Sequence, residues 1–159
     1  MASGAGAQGR YRVLVGTGET QMTLVEFSPC IPAETSACGA FVTRVIDTST
    51  DTTYGAKPSI LTEQVAPDSS GSIAVQDGKV RIQTLVRTGG VPVAGKTITD
   101  PKRTATAVAI SPDSRYAFAV FEANDPDEKS LVRMIDLTTR SPIASAFFLM
   151  RPVGIAIAP

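Results

Sequence analysis

The side chains best placed for chemistry in this sequence are four aspartates at the ends of strand-like runs. Asp47 and Asp136 each follow an isoleucine, and Asp68 and Asp113 lie in the related turns A-P-D-S and S-P-D-S. Such carboxylates could act as ligands along one rim of a sheet structure. They could also stabilise a turn, because an aspartate accepts hydrogen bonds from the backbone N–H groups that follow it. We predict the turn role for all four.

An acidic loop is the second candidate, as a cation site. The segment N-D-P-D-E-K brings together Asn124, Asp125, Asp127 and Glu128. Carboxylates and carbonyls are the ligands that calcium prefers, but the segment lacks the glycine of an EF-hand loop. The sequence therefore predicts a solvated loop here, and it predicts no cofactor.

Three arginines recur within strand-like runs, and they form a candidate anion site. Arg44, Arg81 and Arg133 occupy similar places in V-T-R-V-I-D, V-R-I-Q-T-L and V-R-M-I-D-L. A repeated row of guanidinium groups could bind anions. More often such an arginine buries its aliphatic stem between sheets and pairs its head at the rim. We predict this structural role.

Cys30 and Cys38 lie in a proline-containing loop, S-P-C-I-P-A-E-T-S-A-C-G, whose spacing matches no common zinc site. Two free thiols are one interpretation. A disulfide is the one we predict, because loop cysteines this close in sequence readily reach disulfide geometry. Closing so short a loop stabilises the fold by ~2.5 kcal/mol in the chain-entropy treatment. A disulfide also predicts a periplasmic or secreted protein.

Composition excludes several classes of function. The 159 residues carry 15 Lys plus Arg and 15 Asp plus Glu, so no net charge favours nucleic acid or an acidic membrane as a partner. The absence of histidine excludes imidazole metal ligands and the Ser-His-Asp and Cys-His mechanisms. No run approaches the ~20 apolar residues of a membrane-spanning helix. Residues 1–9 have the composition of a disordered leader.

The rest of the chain repeats. A basic residue opens each unit, at Arg10, Lys57, Lys102 and Arg151, in steps of 47, 45 and 49 residues. Each full unit holds about four strand-like runs, with a weak fourth run at 52–56 in the first. This period and strand number are typical of β-propeller blades. We predict an all-β partial propeller at 10–159, with four-stranded antiparallel blades at about 10–56, 57–101 and 102–150. Residues 151–159 would be the first strand of a fourth blade.

The repeated motif resembles the YVTN-type propellers, which include lactonase-like proteins. Their blades read P-x-G-I-A-I-S-P-D-G-x-x-x-Y-V and then V-x-V-I-D-x-x-T. The chain matches with R-P-V-G-I-A-I-A-P at its end, with A-I-S-P-D at 109–113 and with I-D-L-T-T at 135–139. The turn glycine after Pro-Asp is replaced by Ser114, and by Ser69 in the second unit. The resemblance implies a fold and says little about function.

Two functions follow as hypotheses. The first is a non-enzymatic interaction scaffold that binds a protein partner through its rim loops. The alternative is a fragment of a lactonase-like hydrolase or oxidoreductase-type propeller, against which the lack of histidine counts. Three blades cannot close a ring of roughly 4–8 blades. The chain would then be either a piece of a longer protein or a subunit that completes a ring with other copies. We expect head-to-tail self-association, with the apolar strand at 151–159 packing on the first blade of another copy.

Overall fold

The computed structural model describes residues 11–16, 21–28, 39–47, 62–68, 71–84, 95–148, 152 and 154–158, and within these ranges it contains strands and turns only. The all-β prediction is confirmed. The strands are β1 (Tyr11–Gly16), β2 (Gln21–Ser28), β3 (Gly39–Asp47), β4 (Glu63–Val65), β5 (Gly71–Gln76), β6 (Lys79–Thr84), β7 (Lys96–Ile98), β8 (Arg103–Ile110), β9 (Tyr116–Ala123), β10 (Ser130–Asp136), β11 (Ser141–Phe148) and β12 (Gly154–Ala158).

These strands form three four-stranded antiparallel sheets. The lateral sheet has the order β4-β5-β6-β7, and the central sheet has the order β8-β9-β10-β11. Both are meanders in which consecutive strands pair. The terminal sheet has the order β12-β1-β2-β3 and so joins the two ends of the described chain.

Local turn chemistry fixes several of these pairings. Asp77 and Gly78 have φ angles of 52° and 71°, the left-handed pair that a two-residue type I′ hairpin requires. The hairpin that the D-G dipeptide predicts is therefore formed, between β5 and β6. Ser114 has φ 63° and lies where the propeller motif carries glycine. A short polar side chain tolerates this conformation when it can form local hydrogen bonds.

The central sheet lies between the other two. One core cluster joins it to the terminal sheet and includes Phe27, Phe118 and Ile155. A second cluster joins it to the lateral sheet and includes Ile73, Ile110 and Phe121. The central sheet is consequently apolar on both faces, which explains why β9 is buried at odd and even positions alike.

A bulge helps β8 serve both clusters. Its register with β9 shifts between Ala105 and Ala107. Ala105, Val108 and Ile110 belong to the cluster shared with the lateral sheet, whereas Ala107 and Ala109 belong to the cluster shared with the terminal sheet. The extra residue changes which face the alternation assigns to each side chain.

The prediction that residues 151–159 begin a fourth blade is wrong. Strand β12 pairs antiparallel with β1, from Arg12 opposite Ala158 to Gly16 opposite Gly154. The C-terminal strand is thus the first strand of the sheet whose other three strands come from the N-terminal region. In the described residues, β3 is the last strand of that sheet. The weak fourth strand predicted at 52–56 lies outside the described residues.

This pairing removes the structural reason for head-to-tail association. The backbone of β12 that was expected to be unpaired is bonded to β1, and Ile155 is fully buried against the central sheet. The face of the terminal sheet that points away from the central sheet is also covered where it is described, because Leu14 and Leu24 are buried there. In the side chains that the structure describes, neither element offers the open apolar surface from which association was inferred.

Candidate functional site

The stack of sheets has two ends with different chemistry. At one end, here called the turn edge, lie the turns at 66–71, 111–116 and 136–141 together with the start of β1. At the other end, the loop edge, lie residues 99–102, the 77–78 turn and the loop at 124–129. The sheets are aligned, because the backbone N–H of Asp68 donates to Ser114 Oγ at 3.1 Å at the turn edge, and that of Ala105 to Gly78 O at 2.8 Å at the loop edge.

Asp113 organises the turn edge. Its Oδ1 accepts from Ser111 Oγ at 2.6 Å and from the backbone N–H of Arg115 at 3.2 Å. Its Oδ2 accepts a hydrogen bond from the Tyr11 hydroxyl. Burial alone would raise the pKa of Asp113, but the hydrogen bonds from Ser111, Tyr11 and the Arg115 backbone hold it below its usual value. These contacts have the form of the predicted turn role, with an added contact to another sheet.

Tyr11 is a site residue that sequence reasoning missed. Burial raises its pKa, and its hydrogen bond to the Asp113 carboxylate raises it further. Its ring also packs edge-on against Tyr116, with 5.2 Å between centroids. No local signal could have identified this partner, since Tyr11 and Asp113 are 102 residues apart in the chain.

The other three aspartates have separate positions. Asp136 Oδ1 accepts from the backbone N–H groups of Thr138 at 2.8 Å and Thr139 at 3.2 Å, the contacts that a turn role requires. Asp68 lies in an exposed turn beside Ser114. Asp47 ends β3 opposite Gln21, at the loop edge, so its backbone is at the opposite end of the stack from Asp136. The four do not share one rim.

A cleft opens at the turn edge between the lateral and central sheets. Its volume is about 350 Å³. The walls include Asp68 from the lateral sheet and Asp113 and Arg115 from the central sheet, and the apolar side chains of Ile82 and Leu137 line it. Within the described part of the chain, Arg115 has no carboxylate within ion-pair distance, and its guanidinium carbon stands 5.5 Å from the Tyr116 ring centroid.

A buried ion-pair network lies at the loop edge. Asp100, whose side chain is 6% exposed, pairs at 3.3 Å with both Arg103 and Arg133. Burial alone would raise the pKa of Asp100, but the backbone N–H of Lys102 and the two guanidinium charges lower it. Because Asp100 follows β7 and Arg133 lies on β10, the network ties the lateral sheet to the central sheet.

The three arginines of the proposed anion row are not brought together. Arg133 has the predicted structural role: it pairs with Asp100, donates to Ser145 Oγ at 3.3 Å and stacks over Phe121. Arg81 lies on the exposed outer face of the lateral sheet. Arg44 lies on β3, which is the fourth strand of its sheet rather than the third because β12 takes the first place in the sheet order. Its side chain lies outside the described residues.

The acidic loop is held by protein groups. Asn124 Oδ1 accepts from Thr104 Oγ1 at 2.6 Å, and Asp125 Oδ1 accepts from the backbone N–H of Asp127 at 2.9 Å. Glu128 pairs with Lys102 at 2.7 Å. In the described ranges, no three acidic or thiol side chains are grouped so that they could hold a metal ion. The predicted solvated loop agrees with these contacts.

Cys30 and Cys38 lie outside the described residues, so the disulfide stays a prediction. The segment that holds them connects Ser28 to Gly39, which pair at the turn-edge end of the terminal sheet. It therefore starts and finishes at the opposite end of the stack from the 124–129 loop. Among the residues that are described, no helix has the length and apolar character of a membrane crossing.

No family model matches the sequence, and no curated protein matches it. The chain is similar to a solved structure, a functionally unknown protein from Desulfotomaculum acetoxidans DSM 771, with a TM-score of 0.40 and 12% sequence identity. The match covers 87% of this chain and 37% of that protein, so this chain spans well under half the length of its structural neighbour.

Proposed function

We propose that the chain is a propeller-type interaction module that binds a protein partner through the loop edge. Each sheet is a four-stranded antiparallel unit, and the units stack face to face, as propeller blades do. The pairing of β12 with β1 completes a four-stranded sheet from two distant parts of the chain. The proposal takes each of the three sheets as one blade.

The observation that carries the proposal is Phe147. It is one of two large apolar side chains that are strongly exposed within the described residues, at 51%, and the other is Val65. Phe147 lies on β11 opposite Leu131, close to the loop edge. The Arg103 guanidinium covers one side of its ring at 5.6 Å. Aromatic residues, phenylalanine among them, and arginine are enriched at the cores of protein interfaces.

The charges around Phe147 suggest the chemistry of the partner. Asp125 and Asp127 are exposed in the loop at the same edge, and neither forms an ion pair with another described residue. Glu128 is shared between Lys102, at 2.7 Å, and Arg103, at 3.6 Å. A partner surface with an apolar pocket for Phe147 and basic residues around it would therefore be complementary. The expected compartment is periplasmic or extracellular if Cys30 and Cys38 are bonded.

The test compares two substitutions that each replace an exposed apolar side chain with serine. Proteins captured from the native source by the wild-type chain are identified, purified and titrated against wild type, Phe147→Ser and Val65→Ser. We expect Phe147→Ser to weaken binding at least ~10-fold and Val65→Ser to leave it unchanged, with affinity falling as salt is raised. Equal weakening by both variants, or no purified partner that binds, would contradict the proposal. So would turnover of a lactone by the purified chain, with or without divalent metal.

A further inference from the structure

Strand β11 is an open edge of the central sheet. In the described residues it pairs with β10 on one side, and no hydrogen bond joins its backbone to any group beyond that strand. Alternate N–H and C=O groups along its other side are therefore unpaired. An unpaired strand edge is a template to which a further strand can be added.

The other edge strands carry features that protect an edge. The first strands of two sheets, β4 and β12, both lie against β8, and the backbone N–H of Ile110 on β8 donates to Gln64 Oε1 on β4 at 2.6 Å. Of the last strands, β7 has only three residues and includes Lys96, and β3 includes Arg44. Short length and charge both discourage the addition of a strand. By contrast, β11 has eight residues and no charge.

The second half of β11 is the part that can accept a strand. Pro142 lacks a backbone N–H, and the register with β10 shifts between Pro142 and Ala144, so a bulge interrupts the start of β11. From Ala144 to Phe148 the pairing with β10 is regular. This segment, A-S-A-F-F, has three small side chains and two large ones, and the Phe147 side chain is 51% exposed.

The segment is complementary to itself when two copies run antiparallel. With Ala146 opposite its own counterpart, Phe147 lies opposite Ser145 of the other copy, and Phe148 lies opposite Ala144. Each large side chain then has a small neighbour on the same face of the joined sheet, and no like charges are brought together. A two-fold axis at Ala146 generates this register.

The charges at the two ends of β11 favour the same arrangement. Arg140 directly precedes the strand, and Lys96 donates to Ser141 Oγ at 3.2 Å, so two cations meet one carboxylate, Asp136 opposite Ser141. At the other end, the loop at 124–129 holds three carboxylates and one lysine. Antiparallel pairing brings the basic end of each copy within roughly 10 Å, about two strand spacings, of the acidic loop of the other, where charges interact at low salt. Parallel pairing would bring like ends together.

We propose that the chain forms a symmetric dimer in which residues 144–148 of two copies pair antiparallel and join their four-stranded central sheets edge to edge. The same patch is used on both copies, so the assembly closes at two chains and differs from the head-to-tail association that the sequence predicts. It goes beyond the partner binding proposed at the loop edge and does not require it. A single strand pair is a small interface, which corresponds to a dissociation constant on the order of 100 µM.

The test measures the mass of the full chain in solution. Sedimentation velocity from about 10 µM to about 1 mM is expected to show monomer converting to dimer. Amide hydrogen exchange at the two ends of this range should slow for part of 144–148 at the high concentration and stay unchanged in β7, another outer edge. The proposal is overturned by a mass that stays at the monomer value or rises beyond the dimer. It is equally overturned if exchange in 144–148 does not slow, or slows no more than in β7.

Two lysine variants, which leave Phe147 untouched, test the orientation of the pairing. Lys96→Glu is expected to weaken the dimer about 3-fold at low salt, whereas Lys79→Glu, an exposed lysine on an inner strand of the lateral sheet, should leave it unchanged. Adding Asp127→Lys to Lys96→Glu restores opposite charges and should recover the dimer. An unaltered thermal midpoint shows that each variant is folded, and the wild-type measurements decide by themselves if one unfolds. Equal weakening by both lysine variants, or no recovery in the double variant, contradicts the antiparallel dimer.

Discussion

The central and lateral sheets carry related sequences but differ in burial. The central sheet is buried on both faces, whereas the lateral sheet has one face exposed to solvent. Ile110 and Val65 both precede an S-P-D-S or A-P-D-S turn, yet Ile110 is 4% exposed and Val65 is 52% exposed. Arg133 and Arg81 lie opposite an alanine on the preceding strand, yet Arg133 is held in an ion-pair network and Arg81 faces solvent. Ile110 and Arg133 lie on the face of the central sheet that packs against the lateral sheet. Val65 and Arg81 lie on the equivalent face of the lateral sheet.

The difference follows from position in the stack. The central sheet has the lateral sheet on that side, whereas no described sheet covers the corresponding face of the lateral sheet. The outer lateral face is accordingly polar at Glu63, Arg81, Gln83 and Thr97. An equivalent position in a repeat thus has a different energetic role at the end of the stack than inside it.

The largest effect that tests this comparison is expected for Ile110→Asp. A carboxylate buried without a partner costs several kcal/mol, comparable to the whole stability of a domain. The matched change Val65→Asp is expected to stay within ~0.5 kcal/mol, because that side chain is exposed. Chemical denaturation of both variants measures the contrast. Similar losses at the two positions would mean that Val65 is covered in solution.

The next largest effect is expected when residues 154–158 are deleted. The deletion removes β12 from the terminal sheet, exposes one edge of β1 and removes the buried side chain of Ile155. Loss of this one side chain from the core corresponds to about 1.5–3 kcal/mol, to which the lost strand pairing adds. Thermal unfolding and light scattering should show a lower midpoint and more aggregation. An unchanged midpoint would show that β12 does not pair with β1.

A third prediction concerns the contrast between the paired Arg133 and the exposed Arg81. Asp100→Asn removes the charge that Arg103 and Arg133 share, and we expect a loss of about 3 kcal/mol at neutral pH. Arg81→Gln should have almost no effect, because its guanidinium is exposed. Equilibrium denaturation of both variants beside wild type measures the two losses.

The difference in stability between wild type and Asp100→Asn should depend on pH, with a defined sign. The pKa of Asp100 is lowered on folding, so its ionised form stabilises the folded state at every pH above its unfolded value of about 3.9. That contribution is lost as pH falls through the folded pKa. The stability difference between wild type and Asp100→Asn should therefore be constant near neutral pH and shrink in acid. A difference that grows in acid would contradict the assignment.

The smallest effect is expected for Asp136→Ala in the β10–β11 turn. The substitution leaves the backbone N–H groups of Thr138 and Thr139 without their acceptor, at a cost of about 1 kcal/mol. Asp136→Asn should recover most of this loss, because the amide oxygen can accept the same bonds. Denaturation midpoints of the two variants decide the matter, and equal midpoints would exclude a turn role.

Sequence reasoning succeeded where the signal was local. The four strands of the lateral sheet fall within the predicted unit at 57–101, and those of the central sheet within the unit at 102–150, because alternation and turn residues such as Asp77-Gly78 act over short windows. The turn role of Asp113 and Asp136 was also predictable, since an aspartate bonds to the backbone that directly follows it. Much of the candidate site was not predictable. The cleft depends on the packing of two sheets, and Arg115 gave no signal of its own.

By itself, the sequence determined the class of structure, the number of strands in each unit and the turns that join them. These depend on side-chain alternation and on a few backbone conformations, which neighbouring residues decide. Only the tertiary structure decided that β12 completes the sheet of β1, that Tyr11 bonds to Asp113 and that Ile110 is buried while Val65 is not. The physical reason is that such contacts join residues far apart in the chain. A repeat specifies what each unit looks like, whereas the free energy of burying its faces depends on which units lie beside it.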